Sequence, residues 1–170
     1  MTVKLRRVCG MLLLICILTG CGNIGETELD NFEARVEKLL ADQETEILLT
    51  DGYPHKIRLG IVHDEGEPGE VYLELDGIKR SIETAGQVGS AFVLYKGSGR
   101  VFLLLDVERE PECYSTMVFE FAHGRLVQTA ATDACLRIDP DSVTTDSVIL
   151  VHEDDTLQKY KITSEGELEE

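Results

Sequence analysis

The spacing of apolar positions changes period once along this chain. Leu29, Phe32, Val36, Leu39 and Leu40 recur at intervals of three and four, one stripe of a 3.6-residue period. This spacing predicts an amphipathic helix over 28–41, ending near 41–43. Thr27 or Asp30 would cap its start, and Glu26, Glu28 and Asp30 suit the positive end of its dipole. From Glu46 onward the apolar runs shorten. They fall at 47–49, 57–62, 71–75, 91–95, 101–107, 117–121, 126–129, 148–151 and 157–162. Turn-forming residues separate them, among them Asp51-Gly52-Tyr53-Pro54, Asp76-Gly77, Lys96-Gly97-Ser98-Gly99, His123-Gly124 and Asp139-Pro140-Asp141.

Short apolar runs with Gly, Pro and Asp between them indicate antiparallel strands. Past the first helix no helical pattern is long enough for a parallel crossover, which argues against a doubly wound α/β fold. The expected fold is therefore mainly β: an antiparallel sheet or compact β-sandwich of about 8–10 short strands, with the N-terminal amphipathic helix packed on it. In Val71-Tyr72-Leu73-Glu74-Leu75 and Met117-Val118-Phe119-Glu120-Phe121 the larger apolar side chains alternate onto one face. Val101-Phe102-Leu103-Leu104-Leu105 is apolar throughout, so its strand should be central and covered on both sides.

The first residues carry a different message. Lys4, Arg6 and Arg7 precede the apolar run Val8–Leu18, whose eleven residues are too few for a spanning helix, which needs about 20. Positive, then apolar, then small is the order of a secretory signal peptide. The run closes with Leu18-Thr19-Gly20-Cys21. This segment resembles the lipobox of bacterial lipoproteins, with Thr where Ala or Ser is more usual. The resemblance implies lipidation of Cys21, cleavage before it and residence on the extracytoplasmic side of the cell membrane; the plainer reading is a signal peptide with an incidental Cys21. The expected organisation is a cleaved signal over 1–20, a lipidated tether over 21–27 and one exported domain over 28–170. Residues 101–129 and 148–168 each read as a three-strand meander with an acidic turn. They resemble blades of propeller-like lipoproteins from Gram-positive anaerobes, although a closed propeller needs about four to eight blades.

Composition narrows the partners. The chain has 32 acidic and 16 basic residues, a formal charge of −16, which excludes a non-specific nucleic-acid binder. Cleavage after Gly20 would remove three basic residues and no acidic one, leaving a body repelled by anionic lipid. Membrane attachment then falls to the lipid alone. Of the five cysteines, Cys9 and Cys16 would leave with the signal and Cys21 would carry lipid. Cys113 and Cys135 remain, an even pair in an exported domain, where disulfides persist. A bridge closing about 23 residues would contribute roughly 3 kcal/mol. Two buried free thiols or a redox pair are the other readings.

Catalytic and metal motifs are absent from the sequence. His55, His63, His123 and His152 form no His-x-x-x-His pair, and His63-Asp64-Glu65 alternates sides on an extended strand. Asp139, Asp141 and Asp146 lack the spacing and glycine of an EF-hand. There is no Gly-x-Ser-x-Gly elbow and no Ser-x-x-Lys. Neither cofactor nor metal is expected. The reading that follows is a lipid-anchored binding or scaffolding module, with acidic loops 63–70, 106–112 and 152–155 as candidate surfaces for a cationic protein or cell-envelope partner. The alternatives are a cell-surface hydrolase with no recognisable motif and an assembly factor acting through an open strand edge.

Overall fold

The computed structural model of the protein describes residues 33–63, 69–85, 87–132 and 134–170. The signal-like segment, Cys21 and the tether lie outside the described residues. Phe32–Glu170 forms one compact unit. Its described part is mainly β, with thirteen strands in three antiparallel sheets. The first sheet is the meander β2 (Glu44–Leu48), β3 (Pro54–Val62), β4 (Gly69–Leu75) and β5 (Ile78–Ala85). The central sheet runs β6 (Gln87–Tyr95), β7 (Val101–Glu110), β8 (Cys113–Ala122) and β9 (Arg125–Ala131), with β1 (Arg35–Leu39) added beside β6. The third is β10 (Leu136–Ile138), β11 (Ser147–His152), β12 (Leu157–Ile162) and β13 (Leu168–Glu169).

The sheets stack as three layers, because alternate side chains of the central sheet enter two separate cores. Val93, Val101, Leu103, Leu105, Met117 and Phe119 pack on Ile57, Leu59, Val71 and Leu73 of the first sheet. Phe92, Leu94, Phe102, Leu104 and Val118 pack on Leu136, Ile138, Val148, Leu150 and Ile162 of the third. A strand buried on both faces must be apolar at every position, and Val101–Leu105 is fully buried along its length. Two hairpins close through two-residue turns, Asp76-Gly77 and His123-Gly124, with positive φ at both residues of each. That geometry matches the twist of the paired strands and favours Asp-Gly-like pairs.

Eight of the nine apolar runs lie wholly within strands, and the ninth, 47–49, extends one residue past β2, which ends at Leu48. The single open sheet and the two-layer sandwich are replaced by three layers, since the central sheet has two apolar faces to cover. The third sheet covers one of them. The helix expected over 28–41 also needs correction. Residues 28–32 lie outside the described residues, while Arg35–Leu39 is a strand paired with β6 from Arg35↔Tyr95 to Leu39↔Ala91. Here the pairing requirement of a buried sheet outweighs a local 3.6 pattern: without β1, the outer backbone groups of β6 would lose their partners. Leu39 enters the first core, Val36 packs on the second, and Leu40, part of the supposed stripe, is 50% exposed.

Candidate functional sites in two interlayer clefts

A cleft of about 690 Å³ opens at one end of the seam between the central and third sheets. Gln87 at the start of β6, Glu108 near the end of β7, Tyr114 on β8 and the turn residues Pro111 and Glu112 form one wall. Cys135, Arg137 on β10, Val151 and His152 at the end of β11, and the turn residues Glu153 and Asp155 form the other. The structure brings together residues of two acidic segments singled out from sequence, 152–155 and 106–112. The second is not the expected loop: 106–110 belong to β7, where Asp106 and Val107 are buried, and only Pro111 and Glu112 form a turn. Of the third, 63–70, residues 64–68 lie outside the described residues.

Hydrogen bonds fix much of this lining. Gln87 Nε2 donates to the Tyr114 hydroxyl at 2.9 Å, and the Glu112 backbone N–H donates to Glu108 Oε1 at 2.8 Å. His152 Nε2 lies 2.9 Å from Gln158 Oε1, and Arg137 Nη2 lies 3.6 Å from Asp155 Oδ1. Burial, and then the negative charge of Glu108, push the Tyr114 hydroxyl above its ordinary pKa. Cys113 and Cys135 are joined by a disulfide, with Cα atoms 4.7 Å apart, which ties the start of β8 to the approach to β10.

Behind this cleft lies Asp106, a carboxylate only 2% exposed. It accepts from the Ser90 backbone N–H and, at 2.9 Å, from that of Ile138. One side chain therefore joins β7 to β6 and to β10. Burial raises its pKa, while the two backbone donors pull in the opposite direction. The register of β6 against β7 shifts between Val88 and Ala91. Gly89 sits in that irregularity, and a Cβ there would approach Asp106 Oδ1 to 2.5 Å. Glycine is required so that the carboxylate can reach both donors.

The second cleft, about 430 Å³, lies between the end of the first sheet and the His123-Gly124 turn. Leu49, Leu75, Ile78 and Phe121 supply an apolar floor, and Asp51, His55, Asp76, Arg80 and His123 are the charged or titratable groups around it. His55 Nδ1 lies 2.5 Å from Asp76 Oδ2, and Nε2 lies 2.9 Å from Asp51 Oδ2. With a carboxylate at each ring nitrogen, the imidazolium is stabilised. The His55 pKa is raised chiefly by its hydrogen bond to Asp76, with burial opposing. Asp76 is correspondingly lowered, by His55 first and the Lys56 backbone N–H second. Asp51 is lowered mainly by the Tyr53 backbone N–H.

The remaining sequence candidates occupy turns and surfaces. His63 is exposed, and Asp139 Oδ1 accepts from the Asp141 backbone N–H at 3.3 Å within its own turn. Asp146 pairs with Lys96 at 3.1 Å. Gln87, Tyr114 and Arg137 were not recognisable as site residues in the sequence, and Asp106 stood out only as part of the acidic segment 106–112, not as a buried strand residue. Only Tyr114 had a signal beside it, the neighbouring Cys113. No protein-family model, curated protein or solved structure matches this chain.

Proposed function

We propose that the protein is a lipid-anchored, extracytoplasmic binding or scaffolding module, held at the outer face of the cell membrane through Cys21. The observation that carries this reading is the Cys113–Cys135 disulfide, found in a chain that begins with a signal-like segment ending in Leu18-Thr19-Gly20-Cys21. Disulfides persist in oxidising compartments outside the cytoplasm. An acidic body gains nothing from an anionic lipid surface, so a covalent anchor is the attachment its chemistry calls for. Three successive four-stranded meanders, stacked face to face, also support the likeness to propeller-like lipoproteins. The binding surface on this reading is the 690 Å³ cleft, where Glu108, Glu112, Glu153 and Asp155 favour a cationic partner.

The test is Cys21→Ala in cells fed a palmitate analogue. Wild type is expected to be labelled and to sediment with membranes; the variant is expected to lose the label and to be released or remain an unprocessed precursor. Equal labelling of the two would overturn the proposal.

A further inference from the structure

We infer that the disulfide in the cleft wall is the closed form of a thiolate metal site, in which reduced Cys113 and Cys135 and the Glu153 carboxylate bind a zinc ion. The two sulfurs and a Glu153 carboxylate oxygen all lie within 4.8 Å of one another. Zinc bonds of about 2.3 Å to sulfur and about 2.0–2.2 Å to oxygen place tetrahedral ligand atoms roughly 3.6–3.8 Å apart. The carboxylate oxygen thus lies within 4.8 Å of both sulfurs, and a modest approach of the exposed Glu153 side chain brings it to ligand distance. The sulfurs must separate, by rotation about their own side-chain bonds once the S–S bond is broken. Cys113 is supplied by the start of β8, Cys135 by the approach to β10 and Glu153 by the β11–β12 turn, so the three ligands come from both layers. Both cysteines are half-buried and Glu153 is exposed, and Cys135 and Glu153 face the same cleft. An attacking thiol and an incoming ion therefore share one route.

The redox step requires a dithiol, either a small molecule or a protein. Its thiolate attacks one sulfur of the bridge, the S–S bond breaks, and a mixed disulfide forms. The second thiol of the reagent then displaces the protein sulfur, and the reagent leaves as its own disulfide. Two electrons and two protons have passed to Cys113 and Cys135. Zinc binding releases those two protons to water, because thiolates are the ligands. Two thiolates and one carboxylate suit zinc, whereas hard cations such as magnesium or calcium prefer oxygen alone. Three protein ligands leave the fourth position open toward the cleft.

The test uses the full chain with Cys9, Cys16 and Cys21 replaced by Ser, so that Cys113 and Cys135 are its only thiols (the wild-type site below). It is reduced with a dithiol, freed of reagent under anaerobic conditions and titrated with zinc against a chromophoric chelator. Cobalt(II) serves as the second probe, because sulfur-to-cobalt charge transfer reports thiolate ligation. Reduced wild type is expected to take up one zinc and to show the charge-transfer band, and oxidised wild type to do neither. Cys113→Ser and Cys135→Ser should each abolish the band. Loss of an outer-shell partner alone weakens metal binding by about tenfold or more, so Glu153→Gln, which removes a ligand, should weaken zinc binding at least that far. This last variant separates a built site from two thiols on a loosened chain, which would bind zinc equally with either residue. Glu153→Gln matching wild type would overturn the proposal, as would reduced wild type binding zinc no better than Cys113→Ser. Circular dichroism of the reduced, metal-free chain should remain β-rich; an unfolded spectrum would also overturn it.

Discussion

The two seams between layers are built differently. Between the first and central sheets the contact is apolar, with Ile57, Leu59, Val71 and Leu73 facing Val93, Val101, Leu103 and Leu105. Its notable polar group is the fully buried Tyr95, whose hydroxyl donates to Glu37 Oε2 at 3.1 Å beneath the Arg35 guanidinium. Burial and the charge of Glu37 raise that hydroxyl to about 12. The seam between the central and third sheets has an apolar middle and polar ties toward both ends. At one end Lys96, 6% exposed, donates to the Thr145 and Ile162 carbonyls, the latter at 2.9 Å, and Arg100 forms a two-pronged pair with Glu120 while donating to the Ser164 carbonyl. Toward the other are Asp106, the Thr116 hydroxyl donating to the Leu136 carbonyl at 3.0 Å, and the disulfide. The third sheet explains the difference. Its outer strands have only three and two residues, so it brings little apolar area, and directional bonds to its backbone set its position. The larger cleft opens in this seam, the one whose geometry is held by polar groups and a covalent link.

If the first seam depends on packing alone, a cavity there should have the largest effect. Leu103→Ala is expected to cost about 2–5 kcal/mol, read as a lower denaturation midpoint with one cooperative transition. If the second seam depends on its ties, removing the bridge should come next. Cys113→Ser combined with Cys135→Ser is expected to lower stability by roughly 2–4 kcal/mol. Amide exchange should then quicken in β10 and β11 while β3 and β4 stay protected. Uniform acceleration across all three sheets would contradict the contrast between the seams.

These two seams were unequally legible. The central sheet could be read because Val101–Leu105 has no polar position, and every strong apolar run became part of a strand. β5 was missed because its start, Ile78-Lys79-Arg80-Ser81, carries the charges of an exposed edge. β10 was missed because three residues cannot establish an alternation. β1 was misread because Val36 and Leu39 satisfy a helical stripe as well as a strand whose two faces enter different cores. The first cleft was half legible. Its acidic segments stood out as charged turns, although 106–110 is strand, and Gln87, Asp106 and Arg137 acquire their roles only when β6, β7 and β10 meet. No local pattern records such a meeting.

A smaller effect is expected from Lys96→Met, which keeps the length of the stem and deletes its ammonium. The Ile162 and Thr145 carbonyls would lose that donor, at about 1–3 kcal/mol, and Asp146 would lose its partner. Exchange at Val148 and Ile149 should quicken more than at Leu73, whose layer the lysine does not touch. Equal acceleration would mean that the ammonium supports the whole fold rather than the third sheet.

The smallest effect belongs to His55, and it probes a tie within one layer. His55 joins the β2–β3 turn, through Asp51, to the β4–β5 turn, through Asp76, so it fastens two ends of the first sheet to each other. Its folded pKa is raised, so the folded protein binds this proton more tightly than the unfolded chain. The imidazolium's contribution is therefore complete below the ordinary histidine value of about 6.5 and is lost as pH rises through the higher folded value. Asp51 and Asp76 are lowered, so their contribution is present above about 3.9 and is lost as pH falls through their folded values. The clamp should be strongest between these limits. Both carboxylates are about half exposed, at 50% and 48%, so water screens the pairs, and an effect of at most about 1 kcal/mol is expected. Denaturation midpoints of wild type and His55→Gln, compared from pH 4 to pH 9, should differ most near pH 5–6 and converge at the alkaline end. A constant difference across that range would show that His55 acts through packing rather than through its charge.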